Sequence, residues 1–172
     1  MTCTTRILIS AISLSLVLAA CGKKPEDAAV EAAIKASTGQ DATVEHTGDG
    51  TTMTVNTGQG QMKIQSGNGL TLPADFPGDV YLPAGYQIEN VMQMGPVNSV
   101  VLSVSGQAQG LAQEIAAKMQ AGGWKTALSM QSANQGAMLS FTRDKRSVTY
   151  SMSPAQETGK VSLSVQHTEE QN

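Results

Sequence analysis

Cys21 directly follows Leu18-Ala19-Ala20, and its setting points to chemistry more sharply than that of any other residue. One basic residue, Arg6, precedes an apolar run from Ile7 to Leu18, and small residues then lead to the cysteine. That order is the pattern of a secretory signal whose cleavage site is acylated. Arg6 would stay on the cytoplasmic side while the apolar run enters the bilayer. Ala19 and Ala20 fit a narrow peptidase site. The Cys21 thiol would take a diacylglyceryl group, and cleavage would free its amine for a third acyl chain. A transmembrane helix is the competing reading of residues 7–20. The run falls short of the roughly 20 apolar residues that span a bilayer, and Ser10, Ser13 and Ser15 interrupt it.

The remaining reactive residue types are sparse. His46 and His167 are the only histidines, and neither has neighbours at metal-ligand spacing. Each reads as a strand residue. Asp75 and Asp79 flank Phe76-Pro77, and in an extended chain they point the same way. They are placed to pair with a base or bind a cation, or else to cap the turns around the prolines. Gly58-x-Gly60 and Gly67-x-Gly69 lack the following helix that a phosphate cradle needs, so they read as hairpin turns. Arg143, Lys145 and Arg146 surround one hairpin tip, where they would discourage edge pairing or touch a polyanion. With so few histidines and no Gly-x-Ser-x-Gly, no Ser-His-Asp set stands out. The reading is not an enzyme, with no cofactor and no metal.

Composition narrows the classes further. The chain carries Cys3 and Cys21 only, so after cleavage and acylation no free thiol, disulfide or thiolate metal site remains. Net charge is −3, and loss of Arg6 with the leader takes it to −4. There is no large basic patch, which argues against nucleic-acid binding. The chain is rich in Gly, Ser, Thr and Gln and poor in aromatics, which suits antiparallel sheets with one polar face. Several acyl chains on one residue give stable membrane anchoring, because each buried methylene adds about 0.8 kcal/mol. Gly22, rather than Asp, follows the acylated cysteine, which favours export to the outer membrane in a Gram-negative host. Lys23 and Lys24 follow as a solvated tether or touch anionic headgroups.

The elements that must position these residues follow from periodicity and turn signals. Residues 25–37 read as a short helix, with Pro25 in the first turn, Glu26 and Asp27 at the N-terminus and Gly39 as the stop. Its apolar face of Ala29 or Val30, Ala33 and Ile34 is weak. Residues 42–66 read as three short strands, with turns at Asp49-Gly50 and Gly58-Gln59-Gly60. Pro73, Pro77 and Pro83 impose an extended connector, and Phe76, Val80, Tyr81 and Leu82 give it something to bury. Strands follow at Tyr86–Met94 and Val97–Ser105. Residues 107–121 form a helix whose Leu111, Ala112, Ile115 and Met119 lie on one apolar stripe. Four strands complete the chain. In the first, Trp124, Leu128 and Met130 would share a face; in the second, Met138 breaks an alternation marked by Leu139 and Phe141. The final strands place Ser, Thr and Gln on one whole face, open if the helix covers the other.

After the tether and helix, the segment Leu-Pro-x-x-Phe-Pro-x-Asp-Val-x-x-Pro-x-Gly stands at Leu72, Pro73, Phe76, Pro77, Asp79, Val80, Pro83 and Gly85. With the helix and Gly-rich hairpins before it, this order resembles a group of uncharacterised bacterial lipoproteins over roughly residues 25–86. Relatives often carry a tyrosine just before the last proline, where this chain has Leu82. The resemblance implies class and location, and no activity. The β-β-α-β-β-β-β order of the last half is similar to the helix-grip modules of outer-membrane barrel-assembly lipoproteins, a likeness of fold alone.

The expected fold class is α+β: an antiparallel sheet with one face covered by a helix, preceded by a small helix-plus-hairpin module. The expected organisation is a signal peptide at 1–20 and a lipidated tether with a short helix at 21–40. A β-meander and Pro-containing connector follow at 41–85, the C-terminal module at 86–168 and a tail at 169–172. The expected function is a non-catalytic, lipid-anchored cell-envelope protein on the periplasmic face of the outer membrane. It would carry palmitate-type acylation at Cys21, be anchored to the membrane by it, and have an envelope protein as partner. The alternative is a small-ligand or glycan binder with a cavity between helix 107–121 and the sheet.

Overall fold

A computed structural model describes residues 24–58, 60–132 and 136–169. Residues 1–23, 59, 133–135 and 170–172 lie outside that set, and with them the expected signal segment, Cys21, Gly22, Lys23 and most of the expected tail. The protein is α+β and mostly β. In chain order it runs α1 (Pro25–Thr38), β1 (Ala42–Thr47), β2 (Gly50–Thr57), β3 (Gly60–Gly67), β4 (Gln87–Met94), β5 (Val97–Ser105), α2 (Ala108–Ala121), β6 (Lys125–Ser132), β7 (Gly136–Arg143), β8 (Arg146–Pro154) and β9 (Lys160–Glu169).

All nine strands form one sheet in the order β1-β2-β3-β4-β5-β9-β8-β7-β6. Every neighbouring pair is antiparallel. The meander before the connector and the strands after it are therefore continuous, joined where β3 pairs with β4 through Ile64 and Met92. In order and direction, α1-β1-β2-β3-β4 is equivalent to α2-β6-β7-β8-β9 about a pseudo-twofold lying along β5. Such an axis exchanges the two faces of the sheet, and the helices obey it. α1 lies on the face of Val44 and His46, whereas α2 lies on the face of Leu139 and Tyr150.

The main core sits under α2. Leu111, Ala112, Ile115 and Met119 are buried against Val100, Leu102, Phe141, Val148, Tyr150, Leu163 and Val165. Phe141 and Tyr150 meet edge to face, with centroids 5.8 Å apart. The connector covers the part of this face that α2 leaves bare. Leu72, Phe76, Val80, Tyr81 and Leu82 pack into the same core. Tyr150 Oη donates to the Tyr81 carbonyl at 2.9 Å, and the Tyr81 N–H reaches Met119 Sδ.

Two expectations need correction. Trp124 does not share a face with Leu128 and Met130: Trp124 is buried in the core, while the other two stand on the opposite, open face. A β-bulge between Thr126 and Leu128 inserts one residue, and because side chains alternate with period two the parity flips there. Met138 breaks no alternation either; it is the outward residue between buried Ala137 and Leu139, and it pairs with Met130. The second correction concerns α1. It turns Asp27, Glu31 and Ile34 toward the sheet and leaves Ala29, Val30 and Ala33 exposed. The two carboxylates have partners at the sheet, described below, that apolar side chains lack.

Candidate interaction face

The register resolves the outer face into adjacent rows. One runs Val44, Met53, Ile64, Met92, Ser99, Gln166, Thr149, Ser140 and Leu128. Its neighbours run from Ala42 through Met62, Val97 and Ser147 to Lys125, and from His46 through Asn90, Ser164 and Ser151 to Met130. Across the three rows Asp, Glu, Lys and Arg are absent but for Lys125 at the far end. α1 covers the β1 end alone. The rest is an open surface on which Lys125 is the one charged residue of these rows: methionine- and valine-rich over β2–β5, hydroxyl- and amide-rich over β7–β9, and apolar again at Leu128, Met130 and Met138. The outward Ser, Thr and Gln of the final strands thus lie on a face that no helix covers.

His46 projects from this face beside α1. Its Nε2 lies 2.8 Å from Asp27 Oδ1 and its Nδ1 3.0 Å from Thr51 Oγ1. Asp27 is buried, at 8 % exposure, in the first turn of α1. The carboxylate favours that helix N-terminus and accepts the imidazole N–H, so the pair ties α1 to β1. Behind it, Val30, Val44, Met53 and Ile64 line a hollow of about 400 Å³. The chain Asp27–His46–Thr51 orders one hydroxyl on one imidazole. Sequence reasoning missed it because α1 and the β1–β2 hairpin meet only in the fold; the acidic first turn of α1 was the available signal.

The two aspartates of the connector go to different partners. Asp79 takes a bidentate pair from Arg146, with Nη1–Oδ1 and Nη2–Oδ2 both at 2.8 Å, and Arg143 Nη1 lies 3.1 Å from Oδ2. The Arg146 hydrogen bonds hold the Asp79 carboxyl below its usual range. Both guanidiniums stack over Trp124, at 5.1 and 5.9 Å from the ring centroid, and Trp124 Nε1 donates to the Asp79 carbonyl at 3.2 Å. Of the three basic residues at this hairpin, Arg143 and Arg146 are thus spent on clamping the connector. Asp75 accepts instead from Gln93 Nε2 at 3.1 Å and Asn98 Nδ2 at 3.2 Å.

His167 lies on the face opposite His46, paired in register with Asn98 and Val148. It is buried at 3 % exposure, and neither ring nitrogen has a protein partner. Burial pushes its pKa down, and the Arg146 charge adds to that. Among the described residues no group of three His, Cys, Asp or Glu is placed to hold a metal ion. Gly67 has φ +120 and a Cβ there would lie 2.3 Å from the Asp49 carbonyl oxygen, so its glycine serves close hairpin packing. Cys21 lies outside the described residues.

The segment from Leu72 to Gly85 has a structural reading as well. Leu72, Phe76 and Val80 enter the core, Asp79 receives the arginines, Pro83 is buried, and Gly85 takes φ +72. Comparisons of the chain with protein-family models, with curated proteins and with solved structures returned no match.

Proposed function

We propose that this chain is a lipid-anchored cell-envelope protein, acylated at Cys21, held on the periplasmic face of the outer membrane, and non-catalytic. Its task is to bind another envelope protein through the open sheet face. The observation that carries this reading is the continuous surface of β2–β9, whose three register rows hold no charged residue but Lys125, set against a seam under α2 where Ile115, Met119, Phe141 and Tyr150 are buried. Uncharged faces with apolar patches at both ends suit protein contacts, whose buried centres are depleted of charge.

Ile115, Met119, Phe141 and Tyr150, each at most 1 % exposed, meet where the ligand-binding alternative would need a cavity under α2. The hollow beside α1, with an apolar lining and the Asp27–His46–Thr51 group at its rim, is the observation that keeps a small-ligand reading in play. The experiment that separates the two is in-cell photo-crosslinking from Thr149 and, in parallel, from Met53, followed by mass spectrometry. Capture of one envelope protein from Thr149 supports the interaction reading. A small-molecule adduct from Met53, with nothing captured from Thr149, overturns it.

A further inference from the structure

The two edges of the sheet are finished differently. At β1 the N–H of Val44 donates to Glu31 Oε1 of α1 at 2.8 Å, so a helix side chain occupies the middle of that edge. At β6 all eight residues from Lys125 to Ser132 are exposed; α2 lies chiefly over β7 and reaches the start of β6 through Gln120 Nε2, which donates to Thr126 Oγ1 at 3.1 Å. Leu128 and Met130 stand 40 % and 59 % exposed on the open face, with Met138 at 40 % beside them. A long edge strand with exposed apolar side chains is a template for a further strand. Natural edges are usually blunted by charge or proline, and within β6 Lys125 is the sole charged residue.

We propose that β6 pairs antiparallel with β6 of a second copy about a two-fold axis at Ser129, making one sheet of two chains. Three features select a second copy as the occupant. The axis sets Leu128 opposite Met130 of the mate, twice, so both exposed apolar residues of each strand gain an apolar cross-strand neighbour. It sends the two Lys125 side chains to opposite ends of the pair, so no like charges are opposed. It also stands normal to the sheet and leaves like faces on the same side. Both α1 helices, and the tethers that enter them, then face one membrane; this last point rests on the anchoring proposed above, and the first two do not. The bulge between Thr126 and Leu128 confines regular pairing to the segment around Ser129.

The test is Ser129→Cys in the full-length chain, made in a Gram-negative host and oxidised mildly in membranes. Residues directly opposite in such a pair have Cβ atoms about 4.5–5.5 Å apart, close to disulfide reach at about 3.5–4.5 Å. The expected result is a disulfide-linked homodimer well above the background of the native chain and of Gln113→Cys, which sits on the exposed side of α2. Ser129→Lys, which sets two charges against each other at the axis, should abolish the dimer captured by amine-independent chemical crosslinking. Equal rates for Ser129→Cys and Gln113→Cys would overturn the proposal. So would a Ser129→Cys adduct with a different protein, which would assign the β6 edge to a foreign strand. Neither failure touches the reading of the open face, which is probed from Thr149.

Discussion

Asp79 meets two arginines at once, Arg146 through both carboxylate oxygens and Arg143 through one. It is the point where the connector, the β7–β8 hairpin and Trp124 are tied together. Its side chain is about a third exposed, so its stabilising effect is modest, about 1 kcal/mol on the scale of accessible ion pairs. Its carboxyl titrates below the ordinary value of 3.8. The folded state therefore binds fewer protons than the unfolded chain as pH falls through that value, and the stabilisation is present above it and lost below. Asp79→Asn should lower stability by about 1 kcal/mol at neutral pH, with the gap to the native chain closing below about pH 4 in denaturant titrations. His167 gives a second, separate window. Burial disfavours its charged form, Arg146 reinforces this, and Glu169, Asp79 and Asp75 oppose it. Its contribution is complete above the ordinary value of 6.5 and declines as pH falls from there. His167→Leu should remove the part of the pH dependence that sets in as pH falls below about 6.5. It should leave stability at pH 8 unchanged or raise it by roughly 1 kcal/mol, because an apolar side chain needs no partner there. A variant that keeps the native slope over that range would show that His167 is not the titrating group.

Elements were legible in proportion to how local their determinants are. α2 could be read from its stripe, and the strands from alternation between Gly-rich turns, because both signals lie within one segment. The Trp124–Met130 register could not, since the bulge that flips it is set by packing against β7. The docking side of α1 could not either: its hydrophobic pattern pointed to Val30, but Val44 N–H and His46 recruited Glu31 and Asp27. Asp79 with Arg146 was one of several pairings the residue types allowed, and only the path of the connector over β8 and β9 selects it. These differences make the two helices unequal. Leu111 is buried at 7 % exposure on α2, so Leu111→Asp places an unpaired charge in the core. That should cost roughly 3–5 kcal/mol and unfold the strands α2 covers, seen as loss of a cooperative thermal transition by circular dichroism. Val30→Ala on α1, at 46 % exposure, should stay within about 0.5 kcal/mol. A cooperative, soluble Leu111→Asp protein would mean that α2 does not hold the core.

At the scale of the whole molecule, the pseudo-twofold along β5 decides which surface is left free. Each helix-led meander has one apolar and one polar side, and exchanging faces between halves puts both polar and apolar stretches on each face of one sheet. α2 and the connector cover one face over β4–β9, while α1 covers the other at its β1 end. The uncovered area is thus on the same face as α1. Cys21 precedes Pro25 closely, and at about 3.3–3.6 Å per residue the intervening chain spans at most roughly 15 Å. An acylated Cys21 would hold α1 and the β1 edge near the bilayer. The anchor is therefore the premise of the whole arrangement, and it is directly testable. Cys21→Ser should abolish incorporation of labelled palmitate and leave the signal segment uncleaved, read as a heavier chain by intact mass. The circular dichroism spectrum should match that of the native chain, because the substitution lies outside the elements that form the sheet and its helices. Normal acylation and processing of Cys21→Ser would remove the anchor. The open face would then belong to a protein free to present it in any orientation.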